Sequence, residues 1–137
     1  MADKELYQRL AERHGHFCPM STLGVRLGEE ALRRFAQLPM DSLQLSYLMK
    51  TCAADGIRIV FESAAFPAAL SVEPAGQHRL RCRFAADQEL SLQLSAEAMR
   101  LAAGYRELDE ADQPERLDLL RTVAADRLID FIEGPIG

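Results

Sequence analysis

The sequence predicts an α+β fold: a small antiparallel sheet packed with a long N-terminal helix and a group of C-terminal helices. Three observations carry this. Apolar residues recur at spacings of three and four from Met20 to Leu38 and again from Leu117 to Ile132, as on the buried face of a helix. Strict apolar/polar alternation marks residues 43–47, 79–85 and 90–94, as in half-buried strands. The alternating segments after residue 68 are joined by short turns, which predicts an antiparallel meander.

Taken in order, residues 3–13 form a short helix with Leu6, Tyr7 and Leu10 on one side. The next helix starts at Pro19, because proline suits the first helical position. Its stripe is Met20, Leu23, Leu27, Ala31, Phe35 and Leu38, and Pro39 ends it before a turn at Asp41-Ser42. Gly24 and Gly28 lie four apart inside this helix. Each glycine there costs about 1 kcal/mol against alanine, so something packs closely on that face. Residues 43–51 form a strand that delivers Cys52. Residues 53–63 fit both a helix and a strand. Strands then follow at 68–74, 79–85 and 90–94, with turns at Pro74-Ala75-Gly76 and Ala86-Asp87-Gln88. Alternation puts Arg79, Arg81 and Arg83 on one face and points Cys82 to the core. Ser95 caps a helix through Leu108. A final helix begins at Asp112-Gln113-Pro114-Glu115 and runs to Glu133, where Gly134-Pro135 stops it.

Length fits one domain over residues 1–137, with a core at about 5–94 and a helical C-terminal extension at about 95–135. Hydrophobic residues make up 48% and charged residues 27%, ordinary globular values. Net charge is −5 and lysine occurs only at Lys4 and Lys50. This disfavours nucleic-acid binding, which needs a basic patch. The sequence shows neither a signal-peptide pattern nor an apolar run long enough to span a membrane. Three cysteines do not make a disulfide framework. A reducing cytoplasm is the expected location.

The densest chemistry is His14-Gly15-His16-Phe17-Cys18-Pro19. If the segment is extended, His14, His16 and Cys18 share one side. Imidazole and thiolate suit a divalent transition metal, with zinc first and nickel or iron as alternatives. Cys18 sits at a helix start, where backbone N–H groups and the dipole favour a thiolate. A second thiol, Cys52, and the carboxylate of Asp55 can complete the site. Arg26, two turns into the helix, is the candidate for holding an anionic group of a ligand.

These residues carry a resemblance. His-Gly-His-x-Cys-Pro followed by Gly24-x-Arg26 and Gly28 resembles the opening signature of the FmdE-like family of formylmethanofuran dehydrogenase subunits. Cys52-x-x-Asp55 before an apolar run resembles that family's second block. The resemblance covers roughly residues 5–85. Met20 stands where the family usually has glycine. Residues Phe61 to Pro67 replace a glycine-rich basic stretch. The resemblance implies a helix over 53–63, with Asp55 in its first turn. It also implies a metal-binding, redox-linked accessory domain, often dimeric, that partners an oxidoreductase or metalloenzyme subunit. Two other readings stay open. One is a thiol enzyme with Cys18 or Cys52 as nucleophile and a histidine as base. The other is a haem-binding protein using Cys18-Pro19.

Overall fold

The structure is a computed structural model, and it describes residues 4–37, 43–66, 69–85 and 88–134. Helix α1 (Lys4–His14) leads to α2 (Pro19–Phe35), strand β1 (Gln44–Tyr47) and helix α3 (Ala53–Ser63). Strands β2 (Ala69–Val72), β3 (Arg79–Ala85) and β4 (Gln88–Leu94) follow. Helices α4 (Ala96–Ala103), α5 (Gln113–Thr122) and α6 (Ala125–Leu128) precede a last strand, β5 (Ile129–Glu133). The fold is α+β, with the N-terminal and C-terminal helices packed on the sheet. The expected stop at Pro39, the turn at Asp41-Ser42, Ala68, the turn residues Ala86-Asp87 and Pro135 lie outside the described residues.

The sheet order is β2-β1-β3-β4-β5. Its β1–β3, β3–β4 and β4–β5 pairs are antiparallel, while β1 and β2 run parallel. The meander expected from β2 through β4 is therefore corrected at its first link. Helix α3 returns the chain to the start of the sheet, as a parallel pair requires. β3 then pairs with the other edge of β1. The helix expected to run to Glu133 is corrected as well. It breaks at Val123, whose backbone is extended (φ −62°, ψ 146°). Ile129-Asp130-Phe131-Ile132 instead pairs with β4, Leu92 opposite Phe131. A β-branched and aromatic run beside an open strand edge gains a ladder that outweighs its helical spacing. The helix from Ser95 ends at Ala103 instead of Leu108, although Ser95 caps it as expected, its hydroxyl accepting from the Ala98 N–H at 3.1 Å.

Leu45, Tyr47, Leu80, Cys82, Leu92 and Leu94 face the core with Leu23, Leu27, Ile57, Phe61, Leu120 and Leu128. On the opposite face Arg79 donates to Gln93 (2.9 Å), Arg81 to Glu73 (3.3 Å) and Arg83 to Glu89 (2.7 Å). That arginine row is a paired sheet face. Among the described residues, no helix is long and apolar enough to cross a membrane.

One contact positions everything that follows. Helices α2 and α3 run in the same direction with their backbones touching. A Cβ on Gly24 would fall on the Ala53 carbonyl, and one on Gly56 would fall on the Ser21 carbonyl. At Gly28 a Cβ would meet only side chain and Cα atoms, 3.1 Å from the Val60 Cβ. We expect Gly24→Ala and Gly56→Ala each to lower unfolding free energy by about 3 kcal/mol, since backbone cannot yield as a rotamer can. Gly28→Ala should be near neutral, because about 1 kcal/mol of helix propensity offsets the tighter contact. Urea titrations followed by circular dichroism check this. Equal effects at all three positions would remove the special role of the backbone contact.

Candidate metal centre

His14 is the last residue of α1. The chain leaves that helix through Gly15, whose φ of +97° is a left-handed conformation that glycine adopts without strain. The Gly15 N–H donates to the Ala11 carbonyl at 2.8 Å, closing the helix. The segment is thus not extended, and the expected alternation fails at Gly15. His14 turns inward, while His16 stays exposed. The two rings still touch, with centroids 4.7 Å apart and a tilt of 43°.

Cys18 is the N-cap of α2, with extended backbone (φ −144°, ψ 132°) and Pro19 starting the helix. Its carbonyl accepts from the Ser21 and Thr22 hydroxyls, both at 3.0 Å. Cys52 is the N-cap of α3, steadied by Thr51, whose hydroxyl accepts from the Ala53 N–H at 3.2 Å. Helix α3 confirms the helical alternative for 53–63 and puts Asp55 in its first turn. The glycine contact sets these two helix starts side by side. As a result one donor atom each of His14, Cys18 and Cys52 lies within 4.8 Å of the others.

Asp55 completes the arrangement indirectly. One carboxylate oxygen lies 2.8 Å from His14 Nδ1, and the other lies 3.6 Å from the Arg58 guanidinium. A carboxylate only accepts, so Nδ1 carries the proton, and in the neutral ring Nε2 then has the lone pair. His14 Nε2 is buried and has no hydrogen-bond partner. Such an atom costs about 1–3 kcal/mol unless something binds it. A buried imidazole lone pair beside two sulfurs is a donor set that fits a divalent transition metal. Cys52 is pushed up to about 11, by burial first and then by the neighbouring Cys18 sulfur and Asp55.

The remaining sequence candidates are placed elsewhere. Arg26 is buried, and its guanidinium donates to the Leu120 carbonyl (2.8 Å) and the Val123 carbonyl (2.7 Å) at the end of α5. It ties α2 to the end of α5. His16 lies outside the three-donor group. The sequence carries no chemical signal in its C-terminal third, yet Tyr105 lines a groove with Phe17, the residue before Cys18. Burial raises its phenol, and the Cys18 sulfur adds to the effect. No spacing in the sequence signals that placement.

The family profile described as FmdE, molybdenum formylmethanofuran dehydrogenase operon, matches residues 13–131. The chain belongs to the FmdE family. The match takes in His14, Cys18, Cys52 and Asp55. It runs past the end of the motif-based resemblance near residue 85 and through α4, α5 and α6 into β5. Among solved structures, the chain is similar to a tungsten formylmethanofuran dehydrogenase FmdE-like protein from Syntrophus aciditrophicus. The TM-score is 0.70 at 16% identity, covering 98% of this chain and 72% of that one. At that identity the likeness is one of fold. No match was found among curated proteins.

The position of Arg26 gives a test. Arg26→Ala should cost about 2–3 kcal/mol, because two carbonyls at the end of α5 lose a charged donor. Arg26→Lys should recover only part of this, since an ammonium cannot reproduce the fork. Thermal melts measure the loss. A stable Arg26→Ala protein would mean that the α5 end is held by other contacts.

Proposed function

We propose that this member of the FmdE family is a metal-binding accessory protein that works with an oxidoreductase or metalloenzyme subunit. One divalent transition metal, zinc first and nickel or iron next, is held by His14, Cys18 and Cys52. The observation that carries this is the buried, unpartnered Nε2 of His14 beside two thiols. Asp55 serves as the positioning residue. Its bond to Nδ1 fixes the tautomer and orients the ring, a common partner arrangement for ligating histidines. His16 covers the outer edge of that ring. Three protein donors leave a position for a further ligand, and a bound ion there supplies Lewis acidity. The protein acts as a homodimer in the cytoplasm.

A second reading rests on the same geometry. Cys18 next to His14, with Asp55 on the far ring nitrogen, also suits a thiol nucleophile with an oriented base. The two readings differ in what survives metal removal.

Elemental analysis of the protein without a histidine tag separates them. About one equivalent of metal per chain is expected, lost in His14→Ala, Cys18→Ser and Cys52→Ser. His16→Ala should keep it. Asp55→Asn should weaken affinity about 10- to 100-fold, as changes to such supporting groups do. A wild type that takes up no metal on reconstitution would overturn the first reading. The second would then be pursued by alkylating Cys18.

A further inference from the structure

We propose that Cys18 and Cys52 are a disulfide-forming pair: in the metal-free protein a peroxide converts them to an intramolecular Cys18–Cys52 disulfide. The inference goes beyond the metal reading and does not need it. The two sulfurs lie within 4.8 Å of one another, and a disulfide needs about 2 Å. Side-chain rotation at two helix starts covers much of that gap. The helices that carry them touch through Gly24 and Gly56, so the pair is held together by backbone contact. Both cysteines are free and half-buried, within reach of a small oxidant. Cys82 is wholly buried under the sheet and serves as an internal control.

The chemistry balances. One sulfur, as thiolate, attacks a peroxide oxygen, so an S–O bond forms as the O–O bond breaks. The departing hydroxide takes up a proton. The second sulfur attacks the resulting sulfenic acid, so the S–S bond forms as the S–O bond breaks, and the second hydroxide leaves as water. Two thiols and one hydrogen peroxide give one disulfide and two waters, with two electrons passing from sulfur to oxygen. The product removes both of the donors grouped with His14, leaving one of the three. Metal occupancy and the disulfide therefore exclude one another.

The test uses the full untagged chain, one sample stripped with a chelator and one loaded with zinc. Both are treated with hydrogen peroxide and mapped as non-reduced peptides by mass spectrometry. The stripped protein should yield a Cys18–Cys52 peptide lighter by the two thiol hydrogens and restored by dithiothreitol, with Cys82 unmodified. Zinc loading should slow its formation about tenfold, because coordinated sulfur is shielded. Cys52→Ser should instead leave a Cys18 sulfenic acid that a dimedone-type reagent traps. Separate sulfinic or sulfonic acids, or links between chains, with no Cys18–Cys52 peptide in the stripped wild type would overturn the proposal. The link forming in a chain that takes up no zinc, nickel or iron would sustain it while removing the metal reading. Zinc binding without the link would do the reverse.

Discussion

The backbone contact between α2 and α3 is the constraint on which the site depends. Two glycines at matching depths, Gly24 and Gly56, each let the opposing helix approach where any side chain would collide. Each costs about 1 kcal/mol of helix propensity. The close approach returns dispersion contact along both helices. It also fixes their relative height. Cys18 caps one helix and Cys52 caps the other, so matching the helices in register brings the sulfurs together. A larger residue at either glycine would separate the thiols before touching them.

Two helices running in one direction bring two partly positive N-termini together, which is unfavourable by itself. Negative charge at the shared end would relieve it. Yet Cys52 is pushed up to about 11. Burial and the neighbouring sulfur outweigh the helix ends when two sulfurs share one small space, since both cannot be charged at little cost. A bound cation removes that conflict by balancing the second negative charge. The unpartnered Nε2 of His14 points to the same conclusion from the other side. One bound cation would resolve both the proton competition at Cys52 and the unused lone pair at His14.

Much of this is legible in the residues. His14 and Cys18 are marked by their spacing, Cys52 and Asp55 by their place at a strand-to-helix junction, and the close helix packing by Gly24 and Gly28. The division of labour between the histidines is not. Period-two reasoning assumes continuous extended backbone, and the +97° φ of Gly15 ends that assumption. Gly56 carries no signal of its own, because its meaning depends on a partner helix 32 residues away in the chain, at Gly24. The parallel β1–β2 pair and strand β5 are hidden for a related reason. Each depends on which strand edge is free, and edges exist only once the sheet is assembled. The tie that Arg26 makes is hidden too, because its partners are backbone carbonyls, which have no sequence signature.

Arg26 also explains how the C-terminal helices belong to the site. Its guanidinium joins the middle of α2 to the end of α5. Next to that junction Arg121 lies over the Tyr7 ring at 4.4 Å and the Phe17 ring at 5.8 Å. A groove of about 280 Å³ follows, lined by Phe17, Tyr105, Gln113, Leu117 and Arg121. Phe17 is one of two large apolar side chains left exposed among the described residues, and it immediately precedes Cys18. The cysteine end of α2 thus has two different neighbours: α3 supplies the second thiol, and the α4–α5 region supplies Tyr105 and Leu117 to a wall shared with Phe17. The glycine contact sets the first and Arg26 the second. A change at Arg26 should therefore loosen the aromatic wall while leaving the paired sulfurs in place, because the two clamps share α2 but grip different faces of it.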